Sequence, residues 1–356
     1  MQFEIKNYRE FNRKDFRYFL LAGDIGGTNT RLGLFGIGDN PQLLTSLHFK
    51  SQELTSLPSA INKAIEFFYK TYKLNLTKAS IAAAGPVSAD REKIHITNVK
   101  WGISKSDLLK KTGLRKILLL NDFEAVGYGI NTISTKDVKT IKRAKKMPNA
   151  PIVLIGAGTG LGKTTLIFDI HSQSYAPIPS ESGHNDFPAE NGKEFKIINF
   201  IRKRENLKNF VSFEHFLSGH GLIDIYYFLR KSGRFKQTMC AQEIDSSKSR
   251  AEIISKCRKA DETCKETFNI FRDAYARFAR SCALDSLAYG GVYITGKIAV
   301  NNREIFGSKF IKSFKQNYKL SYLLKRIPIF LILNYNIGML GAAFAYHIQK
   351  KKSLAL

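Results

Sequence analysis

The sequence predicts an α/β protein of two lobes, and three observations indicate this class. The chain has 356 residues, more than one domain usually holds. Short apolar runs typical of strands alternate with amphipathic stretches typical of helices. Glycine-rich loops at residues 23–31 and 156–162 each follow an apolar run, so a strand–glycine–strand arrangement opens each half. We therefore expect mixed sheets flanked by helices.

The elements of the first lobe follow in chain order. Residues 1–18 are polar and basic, which favours an extension or an edge element. From Phe19 the pattern is strand, glycine turn and strand, which predicts a β-hairpin. Apolar positions on one face then predict the first helix, and apolar runs before Gly85-Pro86 and Asn121-Asp122 predict buried strands. The predicted elements are a helix over 56–73, a strand over 79–84, a helix over 105–111 and a strand over 116–120.

The second lobe begins after a basic, less regular segment over 132–149, which we interpret as the link. The second glycine loop follows an apolar strand, and the rest of this lobe is richer in helical pattern. The predicted later elements are strands over 164–170, 291–295 and 328–333 and a last helix over 338–350, made of small apolar residues.

Composition excludes several classes of protein. The net charge is +26, but Lys and Arg are spread along the chain and no nucleic-acid-binding motif accompanies them, so we expect no nucleic-acid partner. No apolar stretch approaches the ~20 residues of a membrane span, and no signal peptide is evident, so we expect no membrane contact and a cytoplasmic location. The four cysteines form no CxxC pair, which favours reduced core thiols over disulfides or a metal site: Cys240, Cys257, Cys264 and Cys282.

Residues 157–164, AGTGLGKT, are close to a phosphate-binding P-loop. A P-loop opens a helix, whereas residues 164–170 are β-branched and aromatic and precede Pro177 and Pro179. We therefore predict a glycine hairpin between two strands, with Lys163 as a solvated surface charge that has no catalytic role.

Candidate chemical groups follow strands and loops. Asp122 lies just past an apolar strand, where a carboxylate can accept a proton from a hydroxyl, or it can cap the next helix. Asp24 can hold magnesium through water or stabilise its turn. Thr28 and Thr159 can donate to phosphate or close their turns. Arg31 can bind phosphate or form a salt bridge.

A second set of polar groups lies in the other half of the chain. Glu181 and His184 share one tight turn, and Glu214 opens a predicted helix that ends at 218–221. Carboxylates, amides and a histidine are the groups that bind polyhydroxylated ligands, although they are also common at surfaces. His184 has no neighbours at metal-ligand spacing, so we expect no zinc.

Several segments together identify a family. The chain resembles bacterial glucokinases of the hexokinase and actin-like ATPase superfamily from residue 19 onward. The motifs that carry the resemblance are GDIGGTNTRLGLF, AAAGPV, TNVKW, LLNDFEAVGYG, GAGTGLG, PSESGHNDF, FLSGHGL and NIGMLGAAFA, in the family's order.

The resemblance implies a two-lobed actin-like (ribonuclease H-like) fold with a deep interlobe cleft that holds ATP and Mg²⁺, and phosphorylation of the 6-hydroxyl of glucose. It implies a basic extension over 1–18, a small lobe over 19–134 completed by 335–356, and a large lobe over 135–334. Lobe closure would hinge near 130–150 and 334–338. The family also suggests a homodimer.

By this resemblance Asp122 is the general base, and Asp24 holds magnesium through water. The implied sugar ligands are Asn98, Asn121, Asp122, Glu181, His184 and Glu214. The implied nucleotide-binding residues are Asp24, Gly26, Gly27, Thr28, Asn29, Gly158, Thr159, Gly160 and Gly296.

The chain departs from the family at a few positions. Lys297 follows Gly296 where the family has paired glycines, and its side chain can crowd the nucleotide or contact its phosphates. His220 replaces a proline, and Ser180 and Ser182 replace glycines. Two alternatives stay open: a kinase for another hexose, since the named residues read hydroxyls common to several sugars, and a non-catalytic sugar or nucleotide sensor.

Overall fold

A computed structural model describes residues 2–96, 101–236 and 238–355, the last four by their backbone alone. The strands are β1 (Glu4–Asn7), β2 (Tyr18–Ile25), β3 (Asn29–Ile37), β4 (Pro41–Lys50), β5 (Lys78–Ala83), β6 (Lys93–Ile94), β7 (Ile103–Ser104), β8 (Lys116–Asn121), β9 (Val138–Lys142), β10 (Ile152–Ala157), β11 (Leu161–Asp169), β12 (Ser174–Ser180), β13 (Gly291–Thr295) and β14 (Ile329–Ile332). The helices are α1 (Leu57–Tyr72), α2 (Lys105–Lys111), α3 (Asp122–Gly129), α4 (Gly192–Arg204), α5 (Gly219–Lys231), α6 (Met239–Ser246), α7 (Arg250–Cys257), α8 (Glu262–Asp285), α9 (Lys297–Asn301), α10 (Ser308–Lys315), α11 (Ser321–Arg326) and α12 (Ile337–Ala355).

The chain divides into two compact units. The first contains residues 1–136, 167–179 and 334–356, and the second contains residues 137–166 and 180–333. The division therefore falls at the ends of β11 and β12, just before β9 and just after β14.

The two large sheets share the order of five of their six strands. The first sheet runs β1-β4-β3-β2-β5-β8, and the second runs β12-β11-β10-β13-β14-β9. In each, an antiparallel hairpin (β2–β3 or β10–β11) is followed across the sheet by two parallel strands. The mixed α/β class and the hairpins at both glycine loops are confirmed, and residues 4–7 form the edge strand of the first sheet.

The first sheet is covered on both faces. Alternate residues of its strands pack either beneath α1 and α2 or beneath α3 and α12, as a strand's period of two requires. Ser56 caps the start of helix α1, since its hydroxyl accepts the Ser59 N–H. The predicted helices over 56–73, 105–111 and 338–350 are confirmed. The segment over 132–149 is more regular than predicted, because it contains β9, which pairs with β14.

Helices α3 and α12 approach each other closely because both carry glycine at the contact. A Cβ built on Gly341 would lie 1.7 Å from the Ala125 carbonyl oxygen, and one on Gly129 would lie 2.6 Å from the Ile337 oxygen. The small residues predicted for the last helix therefore let it lie directly against α3.

Replacing Gly341 with alanine is expected to lower the free energy of unfolding by about 2 kcal/mol, since α3 and α12 must separate to admit the methyl group. Urea denaturation of the full chain measures this. Gly113→Ala is the matched control, because a Cβ there meets nothing within 4 Å. Equal stability of the Gly341 variant and the parent would contradict the packing described.

The cysteine prediction is partly wrong. Cys240 in α6 and Cys257 at the end of α7 form a disulfide, with their Cα atoms 6.2 Å apart. Cys264 and Cys282 in α8 are buried thiols as predicted, and burial raises the pKa of both. The sequence spacing could not predict the pair because the turn between α6 and α7 brings the two residues together.

Among the described residues, no helix is long and apolar enough to cross a membrane.

Candidate active site

The carboxyl ends of three parallel strands meet at one edge of the first sheet. Ile25 of β2 pairs with Ala83 of β5, and Ala83 pairs with Asn121 of β8, so all three strands end at the same level. The loops that follow them therefore gather the first glycine turn, residues 84–86 and Asp122 at this edge. This is where open α/β sheets place their functional groups.

Asn121 caps α3. Its Oδ1 accepts the N–H groups of Phe123 (2.9 Å) and Glu124 (3.2 Å), and its Nδ2 donates to the Gly85 carbonyl at 3.0 Å. Asn121, and not Asp122, is therefore the N-cap residue of α3. The Asn121 side chain reaches the first N–H groups of the helix, which have no partner within it. These bonds leave one amide hydrogen of Asn121 for a ligand.

Asp122 is the first residue of α3 and is half-buried. Its Oδ1 accepts the Phe123 N–H at 2.9 Å. A carboxylate in the first turn of a helix is stabilised by the positive end of the helix dipole. The turn itself is anchored by Glu124, which is 4% exposed and accepts two hydrogen bonds from the Arg91 guanidinium. Asp122 is thus a carboxyl group held at the first turn of α3.

Asp24 lies one residue before the end of β2 and forms an ion pair with Arg31 of β3. Arg31 also donates to the Tyr335 carbonyl at 2.7 Å. A Cβ on Gly338 would come within 3.1 Å of the Asp24 Oδ2, so a side chain there would press on the carboxylate, which the glycine leaves room for. Of the roles considered for Arg31, the structure contains the salt bridge, and Gly338 is a neighbour that the sequence did not single out.

The first glycine turn is held from behind by a 3₁₀ turn over Ser51–Glu53. The Ser51 N–H donates to the Thr28 carbonyl at 2.9 Å, and the Gln52 side chain donates to the Gly27 carbonyl at 3.0 Å. Thr28 and Asn29 at the tip are exposed. Because these hydrogen bonds occupy the Gly27 and Thr28 carbonyls, the tip of the turn can present N–H and hydroxyl groups to an anion.

In the second unit, the second glycine loop is a tight hairpin. The Gly158 N–H donates to the Gly160 carbonyl at 2.8 Å, and β10 and β11 continue as antiparallel partners. Rejection of the P-loop is therefore confirmed, since a strand follows the loop. The surface position predicted for Lys163 is wrong: its side chain is 8% exposed and lies 3.3 Å from the Asp285 carboxylate.

Lys163→Met is expected to keep turnover within about twofold of the parent, because the ammonium group is paired with Asp285. Steady-state kinetics measure this. A loss of turnover like that of a P-loop lysine variant would revive the rejected interpretation.

Glu214 joins the second glycine loop to the predicted sugar-binding residues. Its Oε2 accepts the Leu161 N–H at 2.8 Å, and a Cβ on Gly160 would lie 2.6 Å from the same oxygen. A side chain at Gly160 would therefore displace this carboxylate from its present position at the loop backbone, a link that sequence reasoning missed.

His184 lies between two carboxylates. Its Nε2 is 3.9 Å from Glu181 Oε2, and its Nδ1 is 4.0 Å from Glu214 Oε1. Both distances are longer than a hydrogen bond, so the three side chains are not bonded to one another. Each of them can therefore form a hydrogen bond with a hydroxyl group. The turn that carries His184 is pressed against the hairpin, since a Cβ on Gly183 would lie 2.1 Å from the Leu161 carbonyl oxygen. The structure thus brings Glu181, His184 and Glu214 together.

The helix predicted to start at Glu214 is wrong. Residues Phe213–His215 form a 3₁₀ turn, and α5 begins where that helix was predicted to end. Ser218 caps α5 by accepting the Gly221 N–H at 3.1 Å, and the Gly219 N–H donates to the Gly158 carbonyl at 2.9 Å. The start of α5 therefore lies against the second glycine loop.

Gly296 follows β13 with φ at +99°, and a Cβ there would lie 2.5 Å from the Ala157 carbonyl oxygen. Only glycine fits this position. Lys297 is exposed and pairs with Glu252 of α7 at 2.7 Å. In this state its ammonium is held by α7.

The site residues implied by the family fall into two groups, one in each unit. The first unit contains Asp24, Gly26, Gly27, Thr28, Asn29, Asn121 and Asp122, and the second contains Gly158, Thr159, Gly160, Glu181, His184, Glu214 and Gly296. Asn98 lies outside the described residues.

Comparison with known proteins gives the family. The sequence model of the family Glucokinase matches residues 21–349. The chain is 34% identical to the glucokinase of Nostoc punctiforme over 91% of its own length and 97% of the relative's. It is 30% identical to the glucokinase of Yersinia enterocolitica, over 93% and 97% of the two chains.

The chain belongs to the glucokinase family. Its fold is similar to the crystal structure of a glucokinase from an Antarctic psychrotroph, with a TM-score of 0.75, 28% identity and coverage of 92% and 98% of the two chains. A glucokinase from Balamuthia mandrillaris, solved with glucose, shares the fold at a TM-score of 0.77, 20% identity and coverage of 93% and 94%. Membership in the glucokinase family indicates an ATP-dependent hexose kinase.

Proposed function

We propose that this glucokinase-family chain transfers the γ-phosphoryl group of ATP to the 6-hydroxyl of glucose, with Asp122 as the general base. The observation that carries the proposal is the position of Asp122, a carboxylate on the first turn of α3 beside the ends of three parallel strands. A fixed carboxylate of this kind accepts the proton of an attacking hydroxyl.

Binding of the sugar is assigned to the polar groups around the second glycine loop. Glu181 and Glu214 offer two carboxylates, each within about 4 Å of the His184 imidazole, and all three groups can bind sugar hydroxyls. We add Asn121, through its remaining amide hydrogen, and Asn98 from the family pattern. Together they orient the acceptor, and orientation supplies much of the rate in phosphoryl transfer.

The glycine loops are assigned to the phosphates. In the first loop Gly26, Gly27, Thr28 and Asn29 present the tip of a turn whose carbonyls are bound by Ser51 and Gln52. In the second, Gly158, Thr159 and Gly160 form a tight hairpin beside the start of α5. Turns and helix starts bind phosphate through their N–H groups.

The donor set around Asp24 fits magnesium held with ATP. Among the described residues no group of three His, Cys, Asp or Glu side chains could hold a metal, whereas Mg²⁺ is usually bound by one or two carboxylates together with phosphates and water. Asp24 supplies one carboxylate, for which Gly338 makes room. When bound, Mg²⁺ would neutralise phosphate charge, and Arg31 would keep Asp24 in place.

A panel of sugars tests the proposal. ADP release is measured with ATP and with glucose, mannose, fructose, glucosamine and 6-deoxyglucose, and kcat/KM is compared. We expect the highest value for glucose and no turnover with 6-deoxyglucose, which lacks the acceptor hydroxyl. A higher kcat/KM for another hexose would overturn the assigned substrate, and turnover of 6-deoxyglucose would overturn the assigned position.

A further inference from the structure

The disulfide between Cys240 and Cys257 joins two neighbouring helices of the second unit, α6 and α7. Cys257 is 7% exposed, whereas Cys240 is half-buried. A small thiol reagent can therefore reach the Cys240 sulfur more readily than the Cys257 sulfur. This accessibility makes the bond open to reduction in the folded protein.

The other two cysteines of the chain take no part in such chemistry. Cys264 and Cys282 are buried thiols in α8, and burial raises the pKa of both. The thiolate is the form that attacks disulfides and reacts with oxidants. Thiol–disulfide exchange is therefore confined to Cys240 and Cys257.

Helix α6 is held at both ends by carboxylates. At its start, the Thr238 hydroxyl donates to Asp261 Oδ2 at 2.6 Å. Near its end, Asp245 accepts hydrogen bonds from the Tyr227 hydroxyl at 2.9 Å and from Arg230 at 2.8 Å. The disulfide therefore attaches α7 to a helix that the surrounding structure already fixes.

The opposite face of α7 is bound to the segment that follows Gly296. Three side-chain contacts, one from each successive turn, link this face to residues 297–304: Glu252 with Lys297 at 2.7 Å, Ser255 with Asn302 at 2.8 Å, and Arg258 with Glu304. Residues three apart share one face of a helix, and Cys257 lies on the other face with the buried Ile253 and Ile254. One helix therefore connects the disulfide to the residues after Gly296.

The start of α7 also lies beside the second glycine loop. A Cβ built on Gly219 would lie 3.7 Å from the Ala251 Cβ and 3.7 Å from the Gly158 carbonyl oxygen. Both are ordinary van der Waals distances. A shift of α7 would therefore act on Gly158 and on Gly296, which are both assigned to the nucleotide.

We propose that the Cys240–Cys257 disulfide is a redox switch for nucleotide affinity. The intact bond holds α7, and through α7 the residues after Gly296, and its reduction weakens ATP binding. The inference rests on the proposed role of Gly296 and the second glycine loop in binding ATP. Groups that are already fixed lose less conformational freedom when a ligand binds.

A dithiol supplies the two electrons for the reduction. One of its thiolates attacks the Cys240 sulfur, the S–S bond breaks, and Cys257 leaves as a thiolate that takes a proton. The second thiol of the reagent then attacks the mixed disulfide and releases Cys240 as a thiol. The protein gains two electrons and two protons, and the dithiol becomes a cyclic disulfide.

Hydrogen exchange of the full chain tests the connection without ATP. Oxidised protein and protein reduced with dithiothreitol are compared by peptide mass spectrometry. We expect reduction to speed amide exchange in residues 297–304 about fivefold, since α7 is then held by its side-chain contacts and apolar packing alone. Peptides of α1, a helix of the first unit, are the internal control and should exchange at a constant rate.

Calorimetry with ATP on the same two samples tests the effect on binding. We expect reduction to raise the Kd for ATP about fivefold, at the lower end of the usual coupling between two sites. The Kd for glucose should stay within about twofold. Cys257→Ala should bind ATP as the reduced parent does and should not respond to dithiothreitol. Cys282→Ala is the matched control, because it keeps the disulfide and should respond as the parent does.

Unchanged exchange at 297–304 after reduction, with both thiols verified by labelling, would overturn the proposal. Faster exchange there with an unchanged Kd for ATP would also overturn it. Neither readout needs turnover. A chain that responds in both but phosphorylates no glucose would therefore contradict the proposed reaction and leave the switch standing.

Discussion

Asparagine in place of Asp122 is expected to lower kcat about a thousandfold while glucose affinity stays within a few fold of the parent. The amide keeps the size and the hydrogen-bonding capacity of the side chain, but it cannot take the proton of the 6-hydroxyl. The backbone around it should not move, because Asn121 caps α3 and Glu124 anchors its first turn through Arg91.

Single-turnover kinetics and glucose calorimetry separate the two effects on the Asp122 variant. Asp107→Asn is the matched control, since Asp107 lies in the first turn of α2 and pairs with Lys111 on the surface. Parent-like turnover of Asp122→Asn would show that the general base is another group. A large loss of glucose affinity with turnover kept would assign Asp122 to binding alone.

Glu214→Ala is expected to lower kcat/KM for glucose about a hundredfold and to raise the KM for ATP as well. The carboxylate has two neighbours, the Leu161 N–H of the second glycine loop and the His184 imidazole. Truncation removes a proposed sugar ligand and at the same time releases the loop backbone.

Glu214→Gln separates these two roles. Its amide oxygen can still accept the Leu161 N–H, so the KM for ATP should stay near the parent value while kcat/KM for glucose falls. Glu243→Ala, at an exposed position of α6, is the control for loss of a surface carboxylate. If Glu214→Ala changed only the constants for glucose, the described link between loop and sugar site would have no functional role.

Much of the fold could be predicted from local patterns. The hairpins at the glycine loops, the helix over 56–73 and the buried strands before Gly85 and Asn121 depend on the period of apolar residues, which the sequence displays directly. The 3₁₀ turn at Glu214 could not be predicted, because the same types of residue favour a short polar turn and the start of a helix. Ser212, whose hydroxyl lies 2.8 Å from His215 Nδ1, is the cue that favours the turn.

The residues of the candidate site remain a prediction from family motifs, and the structure adds how they are held. Family motifs name Asp122 and Glu214, but only coordinates assign the helix cap to Asn121 and bring Glu214 to the backbone of the second glycine loop. The burial of Lys163 and the pairing of Cys240 with Cys257 depend on contacts between distant segments. No local pattern encodes such contacts.

The most direct test of the central claim is product formation by the folded full-length chain. Glucose, ATP and Mg²⁺ at millimolar concentration are incubated with the protein, and glucose 6-phosphate and ADP are quantified together. We predict the two products in equal amounts, with turnover in the range usual for kinases, about 1–100 per second. Folded protein that forms neither product, or that forms ADP without glucose 6-phosphate, would contradict the claim.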